Sequence, residues 1–198
     1  MKKLILPLFA SLLFANNINQ AIIELEKKHY DKAIEELKTL QENKQIDFLL
    51  GKAYYERHQT YTDYTFALKY FKKAKTPKAY YYLAQMFQKG LGVEKNILDA
   101  INYYKQSDTK EAKYELAKFY LNGEYTLKNP DLALKLLKDS AKAGYDKAQY
   151  LLGKLYLTDN DVTDKDLTQA AKWLFLSAQN GNLEAKNLWN KYKLYRYK

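Results

Sequence analysis

Residues 80–93 read YYYLAQMFQKGLGV, and within them Leu83 is followed by the small residue Ala84. The apolar positions Tyr80, Leu83, Ala84 and Phe87 are three or four residues apart, which is helical spacing and not strand-like spacing. A leucine followed by a small residue recurs in steps of 33, 33 and 36 residues, at Leu50-Gly51, Leu83-Ala84, Leu116-Ala117 and Leu152-Gly153. The chain is therefore predicted to consist of helical repeats.

A second series of small residues interlocks with the first. Its members advance by 34, 33, 33 and 37 residues, at Ala33, Ala67, Ala100, Ala133 and Ala170. Two series with one period predict a unit of two helices. Helix axes approach to about 8 Å only where the facing side chains are small, so both series predict close helix contacts. Larger side chains of the second helices are expected to fill the neighbouring grooves, at Leu136, Leu137, Trp173 and Phe175.

The predicted helix ends carry the expected residues. Gly144 and Gly181 follow the second helices of their units, where a left-handed residue ends a helix. Pro77 and Pro130 lie at helix boundaries, where the missing amide donor costs little.

Three stretches resemble the Sel-1-like repeat, a relative of the tetratricopeptide repeat. The first is Leu83 to Val93 with Asp99-Ala100 and Tyr103-Tyr104-Lys105; the second has Leu116-Ala117, Tyr120, Gly123, Leu132-Ala133 and residues 140–144; the third has Leu152-Gly153, Tyr156, Ala170-Ala171, Trp173 and residues 177–181. The resemblance covers about residues 45–185, and residues 18–42 look closer to a plain tetratricopeptide pair. It implies an all-α fold: a right-handed α-solenoid of about four to five stacked antiparallel helix pairs plus a C-terminal capping helix, over residues 16–198.

The composition excludes several kinds of site. The chain has 198 residues, no Cys and two His, His29 and His58, so disulfides, thiolate metal sites and thiol catalysis are excluded and a histidine base has little support. The net charge is +10, yet 31 of the 33 basic residues are Lys, and the only arginines are Arg57 and Arg196. Because the bidentate guanidinium is nearly absent, we expect no nucleic-acid partner. We also predict no cofactor and no metal.

The N-terminus has the pattern of a secretory signal peptide. Lys2 and Lys3 precede a largely apolar stretch of 12 residues, 4–15, which ends in the small residue Ala15. A membrane-spanning helix needs roughly 20 apolar residues, so this stretch is too short for a permanent span. We predict a signal peptide over residues 1–15, cleavage near Ala15 and a periplasmic or secreted mature chain. A buried N-terminal helix is the alternative.

An enzymatic alternative comes from part of the family. Some secreted relatives are rich in disulfides and have been described as penicillin-binding or β-lactamase-like, which implies a β-lactamase-like enzyme or a hydrolase or binder of cell-wall precursors. Ser107 and Lys110 have the Ser-x-x-Lys spacing of a β-lactamase nucleophile. The companion motifs are absent and there is no Cys, so we expect no enzyme and no catalytic residue.

Two loops offer weaker candidates. The carboxylates Asp159, Asp161, Asp164 and Asp166 suggest a calcium loop, but the glycine and the closing glutamate of such a loop are missing. A helix-capping loop is favoured, with Asp164 or Asp166 near the start of the next helix. Gly90 and Gly92 lack the preceding strand and third glycine of a phosphate-binding loop, which favours a repeat turn.

The candidate binding residues lie on the first helices of the units. An aromatic residue precedes a polar one by four positions in each unit, so that both project from one helix face. This first-helix set consists of Phe48, Lys52, Tyr81, Gln85, Tyr114, Lys118, Tyr150 and Lys154. In tetratricopeptide-like arrays the corresponding helix lines the concave surface, so the resemblance implies a groove that binds a protein or peptide, acidic groups included. The alternative is that the aromatic rings only pack between repeats.

These observations predict a non-enzymatic periplasmic scaffold or adaptor that mediates protein–protein interaction through its concave repeat surface. A cell-envelope assembly is among the partners that this prediction allows.

Overall fold

The computed structural model describes residues 17–57 and 60–197, and the predicted signal peptide over residues 1–15 lies outside them. All regular elements in those ranges are helical. The prediction of an all-α fold of the α-solenoid class is confirmed.

The helices follow one another along the chain, and the longest connection lies between α9 and α10. Helix α1 covers residues 17–26 of the described chain. The next ten are α2 (Tyr30–Lys38), α3 (Lys44–Arg57), α4 (Tyr61–Ala74), α5 (Pro77–Lys89), α6 (Ile97–Ser107), α7 (Lys110–Asn122), α8 (Pro130–Lys142), α9 (Asp146–Leu155), α10 (Leu167–Gln179) and α11 (Leu183–Lys191), and a 3₁₀ turn follows at Leu194–Tyr197.

The helices form two compact units, one ending at Tyr103 and the other beginning at Tyr104. In the first unit α2 packs on α3, α3 on α4, and α4 on α5. In the second unit α7 packs on α8, α8 on α9, α9 on α10, and α10 on α11. Each unit has its own apolar core, built by elements that are neighbours in the sequence.

The small residues lie where helices touch. All members of the second series are completely buried: Ala33, Ala67, Ala100, Ala133 and Ala170. A Cβ added to Gly51 of α3 would lie 2.6 Å from Cδ1 of Phe71 in α4, and one added to Gly153 would lie 2.7 Å from Cγ of Leu174. The helices of a pair therefore approach closely at the positions that the periodicity predicts.

The helix boundaries agree with the sequence signals. Pro77 and Pro130 are the first residues of α5 and α8, and the Thr76 side chain accepts a hydrogen bond from the Ala79 amide. Gly144 and Gly181 have φ values of 79° and 92°, which are left-handed conformations favoured by glycine.

Candidate partner-binding surface

On α3, Phe48 is held by aromatic packing. Its ring is half-buried, with its centroid 6.0 Å from the centroids of both Phe71 and Tyr82. Lys52, one turn further along α3, forms an ion pair with Glu56 at 3.6 Å between Nζ and Oε1. In this repeat the aromatic member contributes to packing inside the unit, and the lysine remains at the half-exposed surface.

On α5, Tyr81 and Gln85 are joined by a hydrogen bond. The Gln85 amide donates to the Tyr81 hydroxyl at 2.8 Å, and its carbonyl oxygen accepts from the Tyr55 hydroxyl of α3 at 3.2 Å. Burial raises the pKa of Tyr55, so this phenol remains a donor at neutral pH. Gln85 therefore links α5 to α3, and its side chain is also partly exposed.

On α7, Tyr114 and Lys118 form a compact polar and aromatic cluster. The Lys118 ammonium lies 5.3 Å from the centroid of the Tyr114 ring and 2.8 Å from Glu115 Oε2. The edge of the Tyr145 ring packs against Tyr114 with 5.3 Å between centroids. The ammonium is half-exposed and already faces a carboxylate, so it can exchange this partner for an acidic group of a ligand.

On α9, Tyr150 is half-buried and Lys154 is exposed. Within residues 17–57 and 60–197, no carboxylate lies within ion-pair distance of Lys154. Of the polar members of the first-helix set, Lys154 is the one whose charge is most open to a ligand.

Tyr145 is a neighbour of this set that sequence reasoning did not identify. Burial, followed by the charge of Glu115, raises the pKa of Tyr145 to about 12. Tyr145 precedes α9 as its N-terminal flanking residue, outside the four-residue spacing that selected the first-helix set. The sequence feature that could have identified Tyr145 is its position directly after Gly144, at the turn between α8 and α9.

The Ser-x-x-Lys motif lies at a helix junction. Ser107 ends α6, has no exposed surface and shares a 3.0 Å hydrogen bond with the Thr109 hydroxyl. Thr109 caps α7, and the carbonyl of Lys110 accepts a 2.6 Å hydrogen bond from Ser140. The serine therefore has no accessible surface on which to receive a substrate.

The acidic loop before α10 is occupied by local contacts. Asp159 accepts a hydrogen bond from the Lys165 amide at 2.8 Å, Asp161 pairs with Lys128, and Asp166 caps α10. The pairing with Lys128 lowers the pKa of Asp161. In the part of the chain that the structure describes, no group of three His, Asp or Glu side chains is arranged to hold a metal ion.

Comparison with known families decides the relationship of the chain. A family model described as the Sel1 repeat matches residues 47–76, 77–107, 110–145 and 146–182, which is more than half of the chain. The chain belongs to the Sel1 repeat family. The Sel1 matches agree with the predicted coverage of about residues 45–185. Sel1 repeats are typically protein-interaction modules, and Sel1 repeat proteins are generally non-enzymatic scaffolds.

Two solved structures share the fold. A Sel1 repeat protein from Oxalobacter formigenes is 23% identical, with a TM-score of 0.75 over 88% of this chain and 74% of that one. The protein c5321, a protective antigen present in uropathogenic Escherichia coli strains and displaying an SLR fold, is 26% identical, with a TM-score of 0.68 over 82% of this chain and 35% of that one. This chain thus spans about a third of c5321. A search of curated proteins finds no match.

A helix that crosses a bilayer needs roughly 20 apolar residues. Among the described residues, none forms a helix long and apolar enough to cross a membrane.

Proposed function

We propose that the chain is an exported, non-enzymatic adaptor that binds a protein or peptide partner through the faces of its first helices. The observation that carries this proposal is the succession of four Sel1 repeats whose first helices each keep a polar member of the first-helix set at least partly exposed. Sel1 repeats are typically protein-interaction modules, which supports a binding role.

The charges of the second unit favour a partner with acidic groups. Lys154 is exposed, and Lys118 faces Glu115 in a pair that a ligand carboxylate can replace. The Lys118 ammonium lies over the ring of Tyr114, and Tyr150 precedes Lys154 by one turn of α9. This arrangement suits a peptide with alternating acidic and apolar side chains. In the first unit Gln85 is neutral and Lys52 is paired with Glu56, whereas Lys154 of the second unit is exposed. We therefore assign the main charge recognition to the second unit.

The proposed location is the periplasm or the exterior of the cell. Its support is the order of charged and apolar residues over 1–15, which is typical of a signal peptide. Sequencing the N-terminus of the protein recovered from a periplasmic fraction tests this part. A mature chain beginning near Asn16 supports it, and recovery of the intact chain in the cytoplasm contradicts it.

The binding role is tested by crosslinking and capture from the periplasmic fraction, followed by quantitative binding of the captured partner. We expect Lys118→Glu with Lys154→Glu to weaken binding at least tenfold, because two attractive charges become repulsive. The melting temperature should fall by no more than a few degrees, because the Lys118–Glu115 ion pair lies at the surface. The matched control is Lys135→Glu with Lys142→Glu on α8, which makes the same charge change at two exposed positions. Equal effects of the two pairs would refute the first-helix assignment.

A further inference from the structure

A second surface lies at the end of the described chain, on residues 185–197. It carries three exposed tyrosine rings, with exposed fractions of 40% for Tyr192, 54% for Tyr195 and 42% for Tyr197. The segment is fixed to the second unit because Ala185 and Leu194 are completely buried and α11 and the 3₁₀ turn both pack on α10. The rings are therefore displayed on a packed surface.

The charges of this terminal surface are mainly positive, although Tyr197 shares a cleft with Asp164 and Asp166 of the loop before α10. Residues 185–197 contain four basic side chains and no Asp or Glu, which gives a net charge of +4: Lys186, Lys191, Lys193 and Arg196. All four basic residues are exposed. The first-helix surface differs, because there Lys118 lies beside Glu115 and Lys52 beside Glu56. A segment with a net charge of +4 attracts a polyanionic partner over a distance of about a Debye length.

The cations and rings of the terminal surface occur as neighbours. The Lys191 ammonium lies 5.7 Å from the centroid of Tyr192, and the Arg196 guanidinium lies 5.9 Å from the centroid of Tyr195. The ring of Tyr195 rests against Trp189, with 6.0 Å between centroids, and Trp189 in turn packs on Phe175 of α10. The Tyr195–Arg196 pair is thus anchored to α10 through Trp189, and the rings of Tyr192 and Tyr195 both remain exposed.

We propose that the terminal surface docks on a bilayer containing anionic phospholipid. Tyrosine rings have an apolar body and a polar hydroxyl, the combination that is favoured at the boundary between headgroups and acyl chains. Lysine and arginine beside them meet the lipid phosphates, and a cluster of four or more basic residues is the composition typical of such contacts. Three of the four cations are lysines, which act as point charges and do not read base edges as paired guanidinium groups do.

The proposal is tested by sedimenting the full chain with vesicles. One set is phosphatidylcholine alone, and in the other about a third of the lipid is phosphatidylglycerol. We expect binding only to the anionic vesicles, with the bound fraction falling as salt is raised. Lys191→Glu with Arg196→Glu is expected to weaken binding to the anionic vesicles at least tenfold. The neutral variant Lys191→Gln with Arg196→Gln is expected to have an affinity between those of the parent chain and the Glu variant.

Two control variants separate this surface from the rest of the chain. Lys135→Glu with Lys142→Glu on α8 makes the same change of charge as Lys191→Glu with Arg196→Glu. We expect this control variant to bind the anionic vesicles nearly as strongly as the parent chain does, because no exposed tyrosine lies on α8. The Lys118→Glu/Lys154→Glu variant is also expected to retain vesicle binding. Thermal melting of every variant checks that it is folded.

Three outcomes would overturn the proposal. The first is equal binding to the neutral and anionic vesicles, or binding to neither. The second is a terminal reversal that binds anionic vesicles as strongly as the parent does. The third is binding of a single-stranded oligonucleotide in preference to the anionic vesicles, which would assign the surface to nucleic acid.

Discussion

Gly51 and Phe71 lie so close together that α3 and α4 leave no room for a methyl group between them. An added Cβ on Gly51 would lie 2.6 Å from Cδ1 and 2.7 Å from Cε1 of the Phe71 ring. The ring cannot easily move away, because it is completely buried and stacks on Tyr82 at 4.8 Å between centroids. The small residue of the repeat is thus required by the packing of one helix pair.

We predict that Gly51→Ala destabilises the chain by about 1–2 kcal/mol, because overpacking exceeds the gain of helix propensity from alanine. Urea unfolding followed by circular dichroism measures this change. In a Phe71→Leu background, where the ring is gone, the same substitution is expected to be neutral or stabilising. An increase in stability of Gly51→Ala in the parent chain would contradict the close approach.

Buried serines connect the two ends of a repeat. The Ser140 hydroxyl donates to the carbonyl of Lys110 at 2.6 Å, and the Ser177 hydroxyl donates to the carbonyl of Asp146 at 3.1 Å. Both serines are completely buried. We expect Ser140→Ala and Ser177→Ala each to lower the unfolding free energy by about 0.5–1.5 kcal/mol, because the hydrogen bond of a buried hydroxyl is lost.

Exposed Thr158 provides the control for these serine substitutions. Thr158→Ala is expected to change the unfolding midpoint little, since its hydroxyl is at the surface. Wild-type stability of Ser140→Ala would mean that the hydroxyl bond contributes nothing to the repeat.

One carboxylate of the acidic loop stabilises α10. Asp166 accepts hydrogen bonds from the amides of Thr168 and Gln169, both at 3.0 Å. We predict that Asp166→Ala costs about 1 kcal/mol, and that Asp164→Ala, in the same loop, costs much less. Thermal unfolding of the pair measures the difference, and equal losses would show that loop charge and not capping is responsible.

The acid stability of the chain is expected to depend on Glu24 in α1. Its buried carboxylate receives a hydrogen bond from His29 at 2.9 Å and pairs with Lys32 at 3.3 Å, and the His29 bond in particular lowers the pKa of Glu24 to about 2. Because the folded pKa is below the ordinary value of 4.5, this contribution to stability is fully present above about pH 4.5. It is lost as the pH falls toward about 2.

Glu24→Gln should therefore flatten the decline of the urea midpoint between about pH 4.5 and pH 2. Exposed Glu26 on the same helix is the matched control, and Glu26→Gln is expected to leave that decline in place. An identical pH profile for the parent and Glu24→Gln would remove Glu24 from the acid response.

The architecture was predictable from the sequence because close helix contacts need small side chains, and those recur at a fixed period. Ala67 and Ala133 are completely buried at contacts between helices. The same contact recurs in each repeat, which is why a small residue recurs at this position. The helix start at Pro77 and the helix end near Gly181 could be predicted because proline favours the first helical position and glycine favours the left-handed conformation that ends a helix.

Side-chain pairing was less predictable, since it depends on residues that are distant in sequence. Gln85 is bonded by Tyr55, thirty residues earlier, and no local pattern indicates that contact. Tyr145 meets Tyr114 from a helix junction, outside the four-residue spacing. The sequence also left Asp164 and Asp166 as equal candidates for the cap, because only the backbone path decides which carboxylate reaches the amides.

The serine bonds also bear on how an array of this kind changes length. Lys110 and Ser140 lie within one matched segment, 110–145, and Asp146 and Ser177 lie within the next, 146–182. A gene segment that is duplicated or deleted at these borders contains both the donor and the acceptor of one bond. Each repeat that is added or kept therefore retains its own serine hydrogen bond. In engineered proteins with more or fewer repeats, the junction between repeats is therefore best placed between Tyr145 and Asp146.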